Sequence, residues 1–399
     1  MEAAERTGGF YYGYVIVACC CLMMAVNAGI AMASAGVFYT PVSESLGVSD
    51  GVFALYISFV FLASSLTLSV AGRAMVRYGA RLLLTLSSGV MGLCLVAMGF
   101  FHAVWQFYVA GAVIGVTLAF LYFLSFPTLI NSWFRTRVGL YVGICSAAMG
   151  LGGAVFNPLC VRLIAEFGWR GAYGLLGGGI LLVLTPALGL LLRNGPGGSS
   201  RPSPAAPLPA ADAAEADYTR AVRTPAFYTL VVYALLINAT APLYLILPGY
   251  VSRLATAELG GYVAAAVMVG VAVGKIALGL INDKSHTLGV CVSTLTGVAG
   301  LGLLAFGPVW SLIGGGFLFG WAFAGVSVQT PLLVRAVFGN RCFTLINAKV
   351  SIALAVGGAL AGGWGLLAEH TSYQFAFLLA CAFLLLCLCM GIYALRRRA

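Results

Sequence analysis

The chain has 399 residues, 61% of them hydrophobic and 8% charged. Soluble domains carry about 25% charged residues, so a soluble enzyme or binding domain is excluded. The net charge of +10 is then a matter of membrane topology, because cytoplasmic loops collect Arg and Lys, and no nucleic-acid partner is implied.

A span needs about 20 mostly apolar residues. The first 13 residues are a short polar lead. The apolar run after them is too long for a signal-peptide core and lacks a small-residue cleavage site, so it reads as an uncleaved first span. Twelve spans follow from the hydropathy: 14–38, 51–72, 82–101, 105–131, 138–162, 171–192, 226–252, 259–281, 287–307, 310–333, 343–367 and 372–395. They are rich in Gly, Ala and Ser, which let helices approach closely. Between the sixth and seventh lies a Pro/Gly/Ala-rich linker, 193–225, with an acidic patch at Asp212, Glu215 and Asp217. The expected fold is an all-α membrane protein of two six-helix bundles, 1–192 and 226–399, joined by that linker. The basic residues set the orientation. With the N-terminus inside, sixteen of the 21 Lys and Arg fall in the cytoplasmic set and only Arg162, Arg170 and Arg253 outside. Both termini and the linker are therefore expected in the cytoplasm of a multi-pass cell-membrane protein.

The two remaining basic residues, Lys275 and Lys349, lie inside spans. An ionised side chain at the bilayer centre costs at least a few kcal/mol and usually lines a pathway or has a partner. No Asp or Glu lies near the middle of any span. Each lysine lies eight residues from a charged cytoplasmic boundary, Asp283 or Arg341, which is about 12 Å of helix rise. Matching depth in two halves suits one site between repeats near the midplane, the usual place in a secondary transporter. Two uncompensated cations point to an anion site; the alternative is that each lysine snorkels or is tied to backbone carbonyls. Other polar residues in spans either bond neighbouring helices or, as weaker candidates, line a cavity: Asn27 and Ser34, which share one face of span one; Tyr122, Phe123 and Ser125 in span four; and Asn238, Trp321 and Gln329 in the C-terminal half. The 11 cysteines show no metal-ligand spacing with His. Gly150-Leu-Gly-Gly153 follows no strand, so it is not a nucleotide loop. No catalytic pair, metal site or cofactor is expected.

The turns after spans two and eight pair up. Gly72 leads to Arg77, Gly79 and Arg81; Gly279 leads to Asp283 and Lys284. These turns resemble the loop signature of the major facilitator superfamily, with Val76 in place of the first acid. That resemblance implies a cytoplasmic gate at Arg77, Arg81, Asp283 and Lys284. Further stretches resemble the oxalate/formate antiporter and monocarboxylate transporter branch: Gly36-Val-Phe-Tyr-Thr-Pro41, Asn131-Ser-Trp-Phe134 with Arg137, Gly168-Trp-Arg170, and Arg223-Thr-Pro-Ala-Phe-Tyr228. In the oxalate carriers a basic residue in span eight and a lysine in span eleven hold the substrate, which implies that role for Lys275 and Lys349. Met32 and Ala33 stand where those carriers place polar or aromatic cage residues. The function expected is a monomeric secondary carrier of small mono- or dicarboxylates, working by alternating access and anion exchange. Proton-coupled monocarboxylate symport is the alternative. A membrane sensor or channel is the reading from another class, and no soluble output domain supports it.

Overall fold

The computed structural model describes residues 11–124, 129–130, 132–134, 138–193, 220–339 and 343–396. Ser125, Pro127, Asn131, Arg137, Arg341 and most of the expected linker, with its acidic patch, lie outside the described residues. Among the described residues, eleven helical runs are long and apolar enough to cross a membrane. One of them, Tyr141–Leu191, is long enough for two crossings. It turns at Gly168, whose φ of 68° and ψ of 169° leave the helix, a left-handed backbone that favours glycine. The expected fifth and sixth spans are therefore two crossings folded at this point.

Local signals account for several span starts. Ser49, Thr224, Thr256 and Ser285 each accept a backbone N–H with the side-chain oxygen, capping spans two, seven, eight and nine. Pro225 follows its cap, where the missing N–H costs nothing. Spans two, eight, ten and twelve end with Arg77, Lys284, Arg335 and Arg396 in the last turn, which suits the negative end of the helix dipole. Tyr11 packs on Trp133 and Phe134, and Tyr12 bonds the Leu191 carbonyl. The chain's start therefore sits beside the ends of spans four and six, on what is here called the termini face.

Several spans are not plain α-helices. Span one runs Gly13–Leu46, but Met24–Ala33 is π-helical and Ala35–Phe38 is a 3-10 turn. Span seven, the corresponding element of the second half, also breaks into a 3-10 turn, Ala241–Leu245, before a last helix Leu247–Leu254. Span eleven is interrupted between Phe343–Ala359 and Ala361–His370. Apolar composition made each of these look like one uniform span. Pro242, which has no N–H to donate, explains the change in span seven.

Small residues set the packing. A Cβ on Gly152 of span five would collide with the Ala25 carbonyl of span one, within the first half. A Cβ on Gly36 of span one would collide with the Leu245 carbonyl of span seven, across the halves. Buried polar pairs tie helices inside each half: Asn27 Nδ2 donates to Ser88 Oγ (3.3 Å), and Asn282 Nδ2 donates to Gln329 Oε1 (2.9 Å).

These two glycines separate stability from conformation. Gly152→Val should lower the thermal stability of the purified protein, by about 1–3 kcal/mol for an overpacked core. Gly36→Val should act mainly on how the halves close. Cysteine-accessibility labelling beside residue 245 should rise in that variant and stay at the wild-type level in Gly152→Val.

Candidate functional site

The two halves meet along two seams. In one, spans five and eight run antiparallel: Gly261 packs on Val161, Gly153 on Met268, and Gly150 on Ala272. The next step of this seam is Lys275. Its Nζ donates to the backbone carbonyl of Ser146 (3.1 Å) and to the Ser146 hydroxyl (3.0 Å). One turn further toward the termini face, a Cβ on Gly143 or on Gly279 would meet nothing within 4 Å among the described residues. The halves part directly beyond the lysine.

In the other seam spans two and eleven meet. Gly51 packs on Gly365, Leu55 on Gly362 and Phe61 on Gly358, and Ser58 Oγ accepts the Gly362 N–H (3.1 Å). At the far face, opposite the termini, the closure becomes ionic. Asp50 opens span two and accepts from Thr40 (3.2 Å), from Ser43 in its own half, and from Arg253 Nη2 of the other half (2.7 Å). Glu369, at the end of span eleven, accepts the Gly51 N–H (2.5 Å), so a carboxylate sits at the positive end of the span-two helix. The two 3-10 turns also meet here. The Tyr244 hydroxyl of span seven donates to the Met32 carbonyl of span one (2.7 Å), and its ring stacks on Phe323 of span ten (centroids 5.0 Å apart).

The expected site residues are placed as follows. Lys275 lies at the seam, and Trp321 lies against its neighbour Gly274. The Trp321 indole N–H is buried with no hydrogen-bond partner among the described residues. Lys349 is exposed on span eleven, on a helical stripe with Ile352, Val356 and Leu360, which are 58%, 50% and 51% exposed. That stripe is apart from the Gly358 face packed on Phe61. Asn27 and Gln329 are fully buried in the pairs with Ser88 and Asn282. They hold helices together within a half and do not line an opening, because each side chain is spent on a neighbouring helix. Ser34 is fully buried at the π to 3-10 junction of span one, its hydroxyl without a partner among the described residues. Asn238 Nδ2 bonds the Leu354 carbonyl (2.5 Å), tying spans seven and eleven. Tyr122 and Phe123 fall in the π-helical turn Ala119–Leu124 of span four. Of the loop residues, Arg77 stacks over Tyr78 and Arg81 Nε bonds the Gly189 carbonyl (2.8 Å) of span six. Asp283 and Lys284 close the span-eight helix, Lys284 exposed.

Ser146, Tyr244, Asp50, Arg253 and Glu369 escaped the sequence reading. Ser146 had a signal: it shares the glycine face of span five with Gly143, Gly150 and Gly153 at three- and four-residue steps. The ionic closure had none, because its partners lie some 200 to 320 residues apart.

A sequence profile of the Major Facilitator Superfamily matches residues 17–289. The chain belongs to this superfamily. It is a transporter and not an enzyme, and the twelve-crossing fold fits that assignment. Among curated relatives, it is 28% identical to human Monocarboxylate transporter 7 over 159 residues, 40% of this chain and 30% of that protein. It is 43% identical to the Saccharomyces cerevisiae Probable transporter MCH2 over 67 residues, 16% of this chain and 14% of that one. The matched stretches thus span less than a third of each relative. Two solved structures share the fold. One is a bacterial homolog of the human lysosomal transporter Spinster, inward-facing and unoccupied (TM-score 0.73, 14% identity, 98% of both chains). The other is a mutant of the nucleoside transporter NupG (TM-score 0.76, 9% identity, 94% of this chain and 99% of that one). At such identities the likeness speaks for the fold alone.

The far-face ion pair makes a testable contribution. Arg253 is 54% exposed and Asp50 only 11%, so solvent screens one partner. A double-mutant cycle of Asp50→Asn and Arg253→Gln, read by thermal unfolding, should give a coupling of about 0.5–1 kcal/mol, the upper part of the range for exposed pairs.

Proposed function

We propose that this transporter is a secondary carrier of small organic anions, mono- or dicarboxylates, that works by alternating access and exchanges one anion for another. One observation carries the reading. Lys275 lies within an apolar helix, where the halves part, and its described partners are two neutral oxygens of Ser146. A charge-assisted bond to a carboxylate is roughly twice as strong as a neutral one, so an anion arriving from the open side can displace Ser146. The buried, unpartnered Trp321 N–H beside Gly274 is a second donor with a cost to recover, since an unmade buried hydrogen bond costs about 1–3 kcal/mol. The partial kinship with a monocarboxylate transporter agrees with the substrate class.

In this reading the termini are cytoplasmic, the far face is external, and the structure is the inward-facing state in the cell membrane. Residues 1–192 and 226–399 are the rocking halves and the stretch between them is the linker. Lys349 is the second cation. A monocarboxylate needs Lys275 alone, whereas a dicarboxylate would also draw in the Lys349 ammonium on its flexible stem. Exchange follows from the charge: returning an unneutralised cation through a closed, low-dielectric seam is costly, and a bound anion offsets that cost. Proton symport is the second reading. It is favoured by the single carboxylate of Asp50 holding Arg253 across the far face, because protonating that acid would loosen the closure.

The test is uptake of labelled carboxylates into proteoliposomes. Lys275→Ala should weaken binding about 10- to 100-fold, the worth of one hydrogen bond to a charged group, with folded yield retained. Lys349→Ala should impair dicarboxylate uptake and spare monocarboxylate uptake. Internal anion should stimulate uptake strongly, and a protonophore should leave it unchanged. Normal transport by Lys275→Ala ends the site assignment, and uptake into empty vesicles driven by an inward proton gradient selects symport.

Ligand stabilisation gives a second check. A carboxylate that binds the native state should raise the melting temperature. The gain should shrink as pH rises, because only the protonated ammonium pairs with the anion. A gain independent of pH, or retained in the double lysine variant, would count against lysine–anion pairing.

A further inference from the structure

A cavity of about 370 Å³ lies at the far-face ends of spans one, five, seven and eight. Both halves build it. Val37, Pro41, Pro158 and Ile164 come from the first half, and Pro248 and Tyr262 from the second. Its wall is mostly apolar. Three charged residues also line it: Glu44 in the last helix of span one, Arg162 in span five, and Glu258 in the first turn of span eight. All three are exposed. None of them forms an ion pair within 4.0 Å among the described residues. The ends of a span sit at the level of the lipid headgroups.

The lining asks for a particular ligand. Apolar walls take hydrocarbon. Two carboxylates take a cation, and a guanidinium takes a phosphate, which Arg can grip with two parallel bonds. A carboxylate bonds a primary ammonium, which has three N–H donors, better than a choline head, which has none. Because the walls come from both halves, the cavity exists only while the far face is closed. Opening that face would pull Pro41 and Pro158 away from Pro248 and Tyr262.

We propose that this cavity binds an aminophospholipid, its ammonium on Glu44 and Glu258 and its phosphate on Arg162, and that occupancy holds the far face closed. The lipid would then set the balance between the two states of the transport cycle without touching Lys275. A ligand that binds one state shifts the equilibrium by its differential affinity alone, and here that difference is nearly complete because the other state lacks the site.

The experiment uses the full chain in nanodiscs of equal phosphatidylethanolamine and phosphatidylcholine. Native mass spectrometry of the released protein counts the lipid retained. Phosphatidylethanolamine should be enriched about two- to fivefold, the effect of one or two exposed ion pairs. Glu44→Gln with Glu258→Gln should abolish the enrichment. Ala165→Trp, which fills the cavity from an exposed wall position, should abolish retention of either lipid while the protein keeps its gel-filtration profile and helical circular dichroism. A spin-label pair at Ser45 and Leu254, both exposed at the far face, should report more of the closed distance in phosphatidylethanolamine than in phosphatidylcholine, and equal closure in the two lipids for Ala165→Trp. Equal retention of the two lipids overturns the proposal, as does enrichment that survives the glutamate substitutions. So does soluble glycerophosphoethanolamine that reproduces the closure by itself, since that would mark a site for an aqueous head group.

Discussion

A cation within an apolar helix has to be surrounded by oxygen, and in this protein the oxygen comes from the other half of the molecule. Lys275 of span eight reaches the carbonyl and hydroxyl of Ser146 in span five. That contact is the last on the seam before the glycines at 143 and 279 face open space. Solvation of the charge and contact between the halves are thus one event. Removing the ammonium from Ser146 requires something else to solvate it, which links the state of the seam to whatever binds there.

The rest of the closure is arranged around that point by two different means. Near the middle it is steric: glycines at 36, 150 and 362 let backbones of opposite halves approach to distances that a side chain would forbid, and glycines at 153, 261 and 358 make room for Met268, Val161 and Phe61. At the far face it is polar: Asp50 with Arg253, and Glu369 on the Gly51 N–H of span two. Glycine contacts carry no sign and can slide. Ionic contacts at a water-exposed rim are screened and worth little singly. A closure of this kind can be made and unmade without a large energy on either side, which an alternating mechanism needs.

Irregular backbone is concentrated where the halves touch. The π-helical and 3-10 turns of span one free carbonyls at Met32 and Ala33, which accept from Tyr244 and from Asn157. Span seven answers with its own 3-10 turn in the corresponding position. Broken helices at membrane depth survive only where protein satisfies their backbone groups, and here the partners come from the opposing half and from span five. The cage positions that sequence comparison left as Met32 and Ala33 therefore contribute main-chain oxygens.

The sequence by itself determined the membrane class, the twelve crossings, the asymmetry of basic residues and the presence of Lys275 in a span without an acid. These depend on composition and local periodicity, which are written along the chain. It also marked the turns around Gly79 and Gly168, where the structure has positive φ. What only the tertiary structure decided is which side chains meet. In the sequence Asn27 and Gln329 fitted either a bond to a neighbouring helix or a cavity wall, because a polar group in a span must find a partner. The fold supplied that partner on an adjacent helix of the same half. Lys349 matched Lys275 in depth, but depth fixes only position along a helix. Azimuth is set by packing, which places Lys349 on one exposed stripe with Ile352 and Val356 and gives Lys275 its contact with Ser146. Ser146, Asp50, Arg253 and Glu369 are ordinary residues in one dimension and become a seam because early and late spans fold against each other and bring together groups that lie more than a hundred residues apart.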